Sequence, residues 1–140
     1  GVNTGGSGGD GETSFLGVLI AGGLGSGGTG TSSPSTTIIL RPPGSSGLGA
    51  GGDINLYGGV GCAAFAGFLI GPTALLVTGS GGDSYFGTGG TSIANTGTVS
   101  SAGYVGTSYG SGGSGALSSN SLANIGGVGM PGICVITEFI

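Results

Sequence analysis

The stretch GTSYG, residues 106–110, puts Ser108 in the G-x-S-x-G spacing of a nucleophile elbow. A serine hydroxyl there needs a neighbouring base to take its proton, and the chain has no histidine and no lysine. The same shortage extends to other general acid–base chemistry, so an enzyme is not expected. GLGSGG, residues 23–28, fits the dinucleotide fingerprint and follows an apolar run. With 40 glycines in 140 residues, about three such matches arise by chance. The fingerprint also needs a helix after it and an acidic residue about twenty positions on. Here TGTSSPS follows and the acid is missing. GGSGGDGET, residues 5–13, begins like a calcium-binding nonapeptide, but Glu12 stands at its apolar position and no tandem copy follows. Asp10 is expected to bond its own backbone in a turn.

Cys62 and Cys134 both lie in apolar runs, VGCAAF and GICVIT, and read as buried small hydrophobes. Whether they pair is left open by two residues alone. Without a C-x-x-C or a histidine there is no recognisable zinc site, and neither metal nor cofactor is expected. The residues best suited to binding are the four tyrosines, Tyr57, Tyr85, Tyr104 and Tyr109. Each sits among glycines (LYGG, DSYFG, GYVG, SYG), where an amphipathic ring can stack on a sugar or anchor a protein surface. The plainer reading is local packing, which is also the expected role of most phenylalanines. One arginine, five acids and a net charge of -4 exclude phosphate-neutralising nucleic-acid binding. They also oppose attraction to anionic lipid.

The elements that would carry these residues are unusual. Glycine is about four times its average usage of about 7%, and each glycine loses more backbone entropy on folding than any other residue. Yet 36% of residues are hydrophobic, only 4% are charged and the mean hydropathy is +0.47, which is not the composition of a solvated disordered tail. An ordered chain in an assembly is expected. Short apolar pieces bounded by glycine or proline read as strands: FLGVLIA (15–21), TTIIL (36–40), CAAFAGFLI (62–70), ALLV (74–77) and ICVITEFI (133–140). The tract 62–77 is short for a membrane span and is broken by Gly71 and Pro72, so two buried strands and a turn suit it better. GMPG supplies a turn before the last piece, which sets Ile133, Val135, Thr137 and Phe139 on one face as a closing strand. No segment has helical periodicity.

The glycine blocks carry their own information. GGSGGDG reads as G-G-x repeated, and a polyproline-II-like helix has about three residues per turn without internal hydrogen bonds. G-G-x then bares two edges of backbone, so that neighbouring helices can bond to one another while the x edge faces outward. The alternative is a flexible glycine–serine linker, against which stands the interleaving of glycine blocks with apolar ones. The fold class expected is all-β and irregular, with short strands, packed polyglycine-II-like helices and essentially no α-helix. Residues 1–140 read as a single glycine-rich domain or one segment of a longer fibrous protein. GGD recurs at residues 8–10, 51–53 and 81–83, each time followed by an aromatic and a glycine, with spacing too irregular for a solenoid. No leader peptide is visible at Gly1, and the chain reads as a fragment or processed product.

The pattern GGSGGDGETSFLGVLIAGGLGSGG, GGDINLYGGVG, GGDSYFGTGG and AGYVGTSYGSGGSGALSSNSLANIGGVGMPGICVITEFI resembles the glycine-rich C-terminal regions of tailed-bacteriophage tail fibre proteins and adhesins. The most specific part is the last, a YGSGGSGA loop, a Ser/Asn/Ala spacer, then Gly126, Gly127, Gly129, Pro131 and Gly132 before an apolar strand with Glu138 and Phe139. The resemblance implies a homotrimeric fibre tip, the C-terminal part of a longer fibre, extracellular on the virion. It implies a bacterial surface receptor, protein or glycan, as partner, with other tail fibre or baseplate proteins, and no membrane insertion. It makes the inserts 31–43 and 62–77 variable tip loops, though both are more apolar than that pattern. The competing expectation is a self-assembling glycine-rich filament or coat protein, which the apolar content and missing charge also fit.

Overall fold

The computed structural model describes residues 28, 30–32, 38–46, 57–68, 74–96, 99–118 and 123–133. Among them there is no helix. Six short strands occur: β1 (Thr31–Ser32), β2 (Ile39–Arg41), β3 (Ala64–Phe68), β4 (Ala74–Val77), β5 (Ala94–Thr96) and β6 (Leu117–Ser118). β2, β3, β4 and β5 form an antiparallel sheet in that order, and β1 pairs with β6 in parallel.

Alternate residues of a strand face opposite sides of the sheet. The register sets Ile39 beside Ala66 and Ala66 beside Leu76, so one row crosses one face. Leu117 packs with Ala66 and Leu76, and half-buried Ile39 and Ile93 flank the cluster. Leu40, Phe65 and Val77 form the corresponding row on the other face, where Leu40 is exposed. Because so few large side chains are buried, each should matter. Leu76→Ala is expected to lower stability by about 2–4 kcal/mol through lost transfer energy and an unfilled cavity, which a urea midpoint measures.

The strands do not stop where the side chains thin out. Val77 pairs with Ala94 in the sheet, and beyond it Thr78 N–H donates to Ile93 O, Gly81 N–H to Gly90 O and Ser84 N–H to Gly87 O. The register is unbroken, but the bonds now fall on every third residue. The β3–β4 pair continues likewise, through Cys62 N–H to Ser80 Oγ and Asp83 N–H to Gly59 O. Gly61 N–H donating to Gly44 O extends the β2–β3 pair in the same way. Alternation suits a strand that buries one face of side chains. A three-residue repeat suits chains that bond to neighbours in several directions around their axis.

Residues 111–118 lie at the centre of this arrangement and are buried throughout. The amides of Ser114 and Leu117 donate to Tyr104 O and Ser101 O, and those of Gly112 and Gly115 donate to Gly82 O and Gly79 O. The carbonyls of Ser111 and Ser114 accept from Met130 and Gly127, Gly112 O accepts from Gly90, and Gly113 O accepts from Gly28. Outside this centre, Gly103 and Gly106 N–H donate to Ile125 O and Val128 O, again three residues apart. The core here is backbone, and glycine makes it possible. A Cβ on Gly113 would fall on the carbonyl oxygen of Gly127, and one on Gly127 would fall on that of Tyr104.

Several expectations need correction. The x positions of SGGSG, Ser111 and Ser114, face inward and are fully buried, because this segment is surrounded. Ser114 Oγ accepts from Tyr104 N–H at 2.8 Å and Ser111 Oγ donates to Ser108 O at 2.6 Å, and no described buried side-chain polar atom lacks a partner. The YGSGGSGA stretch is therefore central from residue 111 onward, not a loop. The inserts 31–43 and 62–77 contribute β1 to β4 where they are described, rather than tip loops. Cys62 is exposed, because it lies before β3 where the chain has left the sheet core. Strand signals at 62–70 and 74–77 became β3 and β4 where they are described, and of TTIIL the described residues 38–40 place Ile39 and Leu40 in β2. The closing strand beyond Ile133, the piece 15–21, GGSGGDG, Asp10 and Cys134 lie outside the described residues.

Candidate functional site

The directions of the segments decide which turns share an end. Residues 78–84 and 101–107 run away from the four-stranded sheet, and 87–93 and 111–118 return toward it. The turns at 84–87 and 107–111 therefore meet at the end opposite the sheet. Ser84 stitches them together. Its Oγ accepts from Phe86 N–H and Gly87 N–H, both at 3.1 Å, and donates to Tyr109 O at 2.6 Å. The second turn closes through Ser111 N–H to Ser108 O, with Gly110 at a φ of 75°, a left-handed conformation that glycine adopts without strain. Gly110 N–H then donates to Pro131 O, which brings residues 130–131 to the same end.

From this end the aromatic side chains emerge. Tyr85 is 75% exposed, Phe86 51% and Tyr109 45%. Tyr85 and Phe86 meet edge to face with centroids 5.2 Å apart, a favourable aromatic geometry that holds two neighbouring rings in a defined relation. Tyr57 is 74% exposed and lies two residues before Gly59, whose carbonyl accepts from Asp83 N–H next to the 84–87 turn. Tyr104 lies one repeat before Thr107 on the flank, with exposed Val105 beside it and Ile125 and Val128 on the bonded neighbour. Three of the four tyrosines selected from sequence thus share one end, and Tyr104 does not. Phe86 was missed: it reads as core by residue type, but it occupies a tight turn next to a tyrosine and between glycine-rich flanks.

Among the described residues the polar groups at this end are neutral apart from one carboxylate. Asp83 Oδ1 accepts from Gly89 N–H at 2.8 Å, which holds the 87–93 segment against 78–84. Thr107 Oγ1 donates to Thr88 O at 2.8 Å and lies 3.1 Å from Thr88 Oγ1, with both threonines exposed. Ser108 bonds within its turn, its N–H directed at Ser111 Oγ and its carbonyl accepting from Ser111. Of the dinucleotide-like stretch only Gly28 is described, and it bonds backbone to backbone. No group of three or more potential metal ligands occurs among the described residues, and no described helix is long and apolar enough to cross a membrane.

Ser84→Ala tests whether the hydroxyl organises the aromatic turn. Losing its bonds should cost about 1–2 kcal/mol locally and speed amide exchange at Phe86 and Gly87, leaving the amides of residues 112–117 protected. Hydrogen exchange by NMR reads both regions. No family model, curated protein or solved structure matches this chain.

Proposed function

We propose that the chain is a host-recognition module of a tailed-phage fibre, which binds a bacterial surface receptor non-covalently through its aromatic end. The observation that carries this reading is the convergence of Tyr57, Tyr85, Phe86 and Tyr109, all exposed, at the end opposite the sheet. Amphipathic rings held on short turns make binding area at low entropic cost. The body behind them fits packed polyglycine-II-like helices, the architecture that supplies stiffness without a thick side-chain core. Bonds at every third residue, in several directions around residues 111–118, support that assignment.

The module acts as a homotrimer at the tip of a fibre on the virion, outside any cell, alongside other tail fibre or baseplate proteins. The apolar flank of Tyr104, Val105, Ile125 and Val128 supports lateral packing between copies. The same flank is what a filament or coat subunit would use, and that is the second reading. Incubating labelled protein with a panel of bacterial strains, with light scattering on the same sample, separates them. Strain-selective binding by a discrete trimer is expected. Mass growing without limit and no strain preference would replace the adhesin with the filament.

A further inference from the structure

We infer that the receptor group taken by the aromatic end is a neutral, polyhydroxylated glycan, gripped by ring stacking and by the Thr88–Thr107 hydroxyl pair. This inference rests on the host-recognition reading above and narrows its ligand.

Charge is the first argument. The only arginine or lysine is Arg41, and it lies on β2 in the sheet, paired with Ala64 and away from the two turns. The binding end has no cation to pair with a phosphate, sulfate or uronate. Its one described carboxylate, Asp83, is half-buried and already accepts Gly89 N–H. With a net charge of -4 on the chain, an anionic ligand meets repulsion and no compensating contact.

Hydroxyl geometry is the second. Thr107 Oγ1 gives its proton to Thr88 O, so in the short contact between the two hydroxyls Thr88 is the donor. Both protons are then used inside the protein, and the lone pairs left on the two exposed oxygens accept. A ligand that fits must bring donors, which sugar hydroxyls do. Thr88 follows Gly87 and Thr107 precedes Ser108, so the pair bridges the two turns that carry Tyr85, Phe86 and Tyr109. The rings offer flat apolar faces to the C–H face of a pyranose, and the phenol hydroxyls can donate or accept at its edge.

The test uses the intact chain on an array of neutral hexose oligosaccharides and their uronate or phosphorylated counterparts. In parallel, bound cells are treated with periodate or with protease. Binding to neutral oligosaccharides, lost on periodate and kept after protease, is the expected result. Thr88→Val, which removes one of the two acceptors, should weaken it about tenfold, and Leu40→Gln in β2 should leave it unchanged. Cell binding that survives periodate and is lost to protease makes the receptor a protein and overturns the inference while the host-recognition reading stands. Preference for the anionic sugars overturns it as well. An array without any signal, together with no strain bound, overturns both.

Discussion

Gly113→Val should leave a chain that no longer folds cooperatively at room temperature. Position 113 lies inside the surrounded segment, and an added Cβ would fall on Gly127 O, with Val128 O close behind. Both are backbone atoms of a neighbour whose amides at Gly127 and Met130 already donate to Ser114 O and Ser111 O. Neither segment can withdraw without breaking those bonds, so the cost is overpacking added to lost hydrogen bonding. Overpacking alone typically costs about 1–3 kcal/mol, and with buried amides unpaired the total reaches about 3 kcal/mol or more. A domain holds only about 5–15 kcal/mol, and one with Leu76 and Leu117 as its largest buried apolar side chains among the described residues has little in reserve. Gly59→Ala is the contrast. Its Cβ would meet Asp83 Oδ2 at 3.0 Å and Asp83 Cβ at 3.2 Å, an overlap that a shift of a few tenths of an ångström relieves with the Asp83–Gly89 bond kept, so the loss should stay within about 1–2 kcal/mol. Urea titration followed by circular dichroism compares the two.

The paired substitution Tyr85→Ala with Tyr109→Ala should weaken cell binding about a hundredfold while the fold is kept. Tyr85 is 75% exposed and Tyr109 45%, and neither belongs to the buried cluster, so their removal leaves the urea midpoint near that of the parent chain. Binding energy usually concentrates in a few aromatic anchors. Removing two from one end should weaken adherence about a hundredfold, or about 2.7 kcal/mol. Tyr85→Ala alone also strips Phe86 of its edge-to-face partner, so Tyr85 and Phe86 should prove non-additive in a double-mutant cycle. Labelled-protein binding to a susceptible strain provides the number. Equal binding by parent and double variant would move the contact surface away from this end.

What could be read from the sequence was set by how locally each feature is encoded. β3 and β4 were legible because apolar residues in runs bounded by glycine and proline encode a strand by themselves. β5, with the residues ANT, has no such signal, and it exists because residues 87–93 have already been bonded against 78–84. β6 looked like part of a serine-rich spacer, but Leu117 is drawn into the cluster with Ala66 and Leu76. A repeat of three was expected from GGSGGDG, which lies outside the described residues, and bonds at every third residue occur in other segments. Which block would be central was not legible, since a glycine block has no side-chain pattern to mark inside from outside. Ser111 and Ser114 face inward only because other segments close around them. The exposure of the tyrosines followed from their glycine neighbours only as one of two readings, beside local packing. Their convergence did not, because it depends on the direction in which each segment runs.

Amide hydrogen exchange across residues 111–118 tests most directly the claim that backbone bonding between glycine segments holds the aromatic end in place. The amides of Gly112, Ser114, Gly115 and Leu117, each bonded to a different segment or a different turn of one, should be among the slowest in the chain and should exchange only on global unfolding. Exchange at these positions as fast as in a free glycine–serine linker would contradict it.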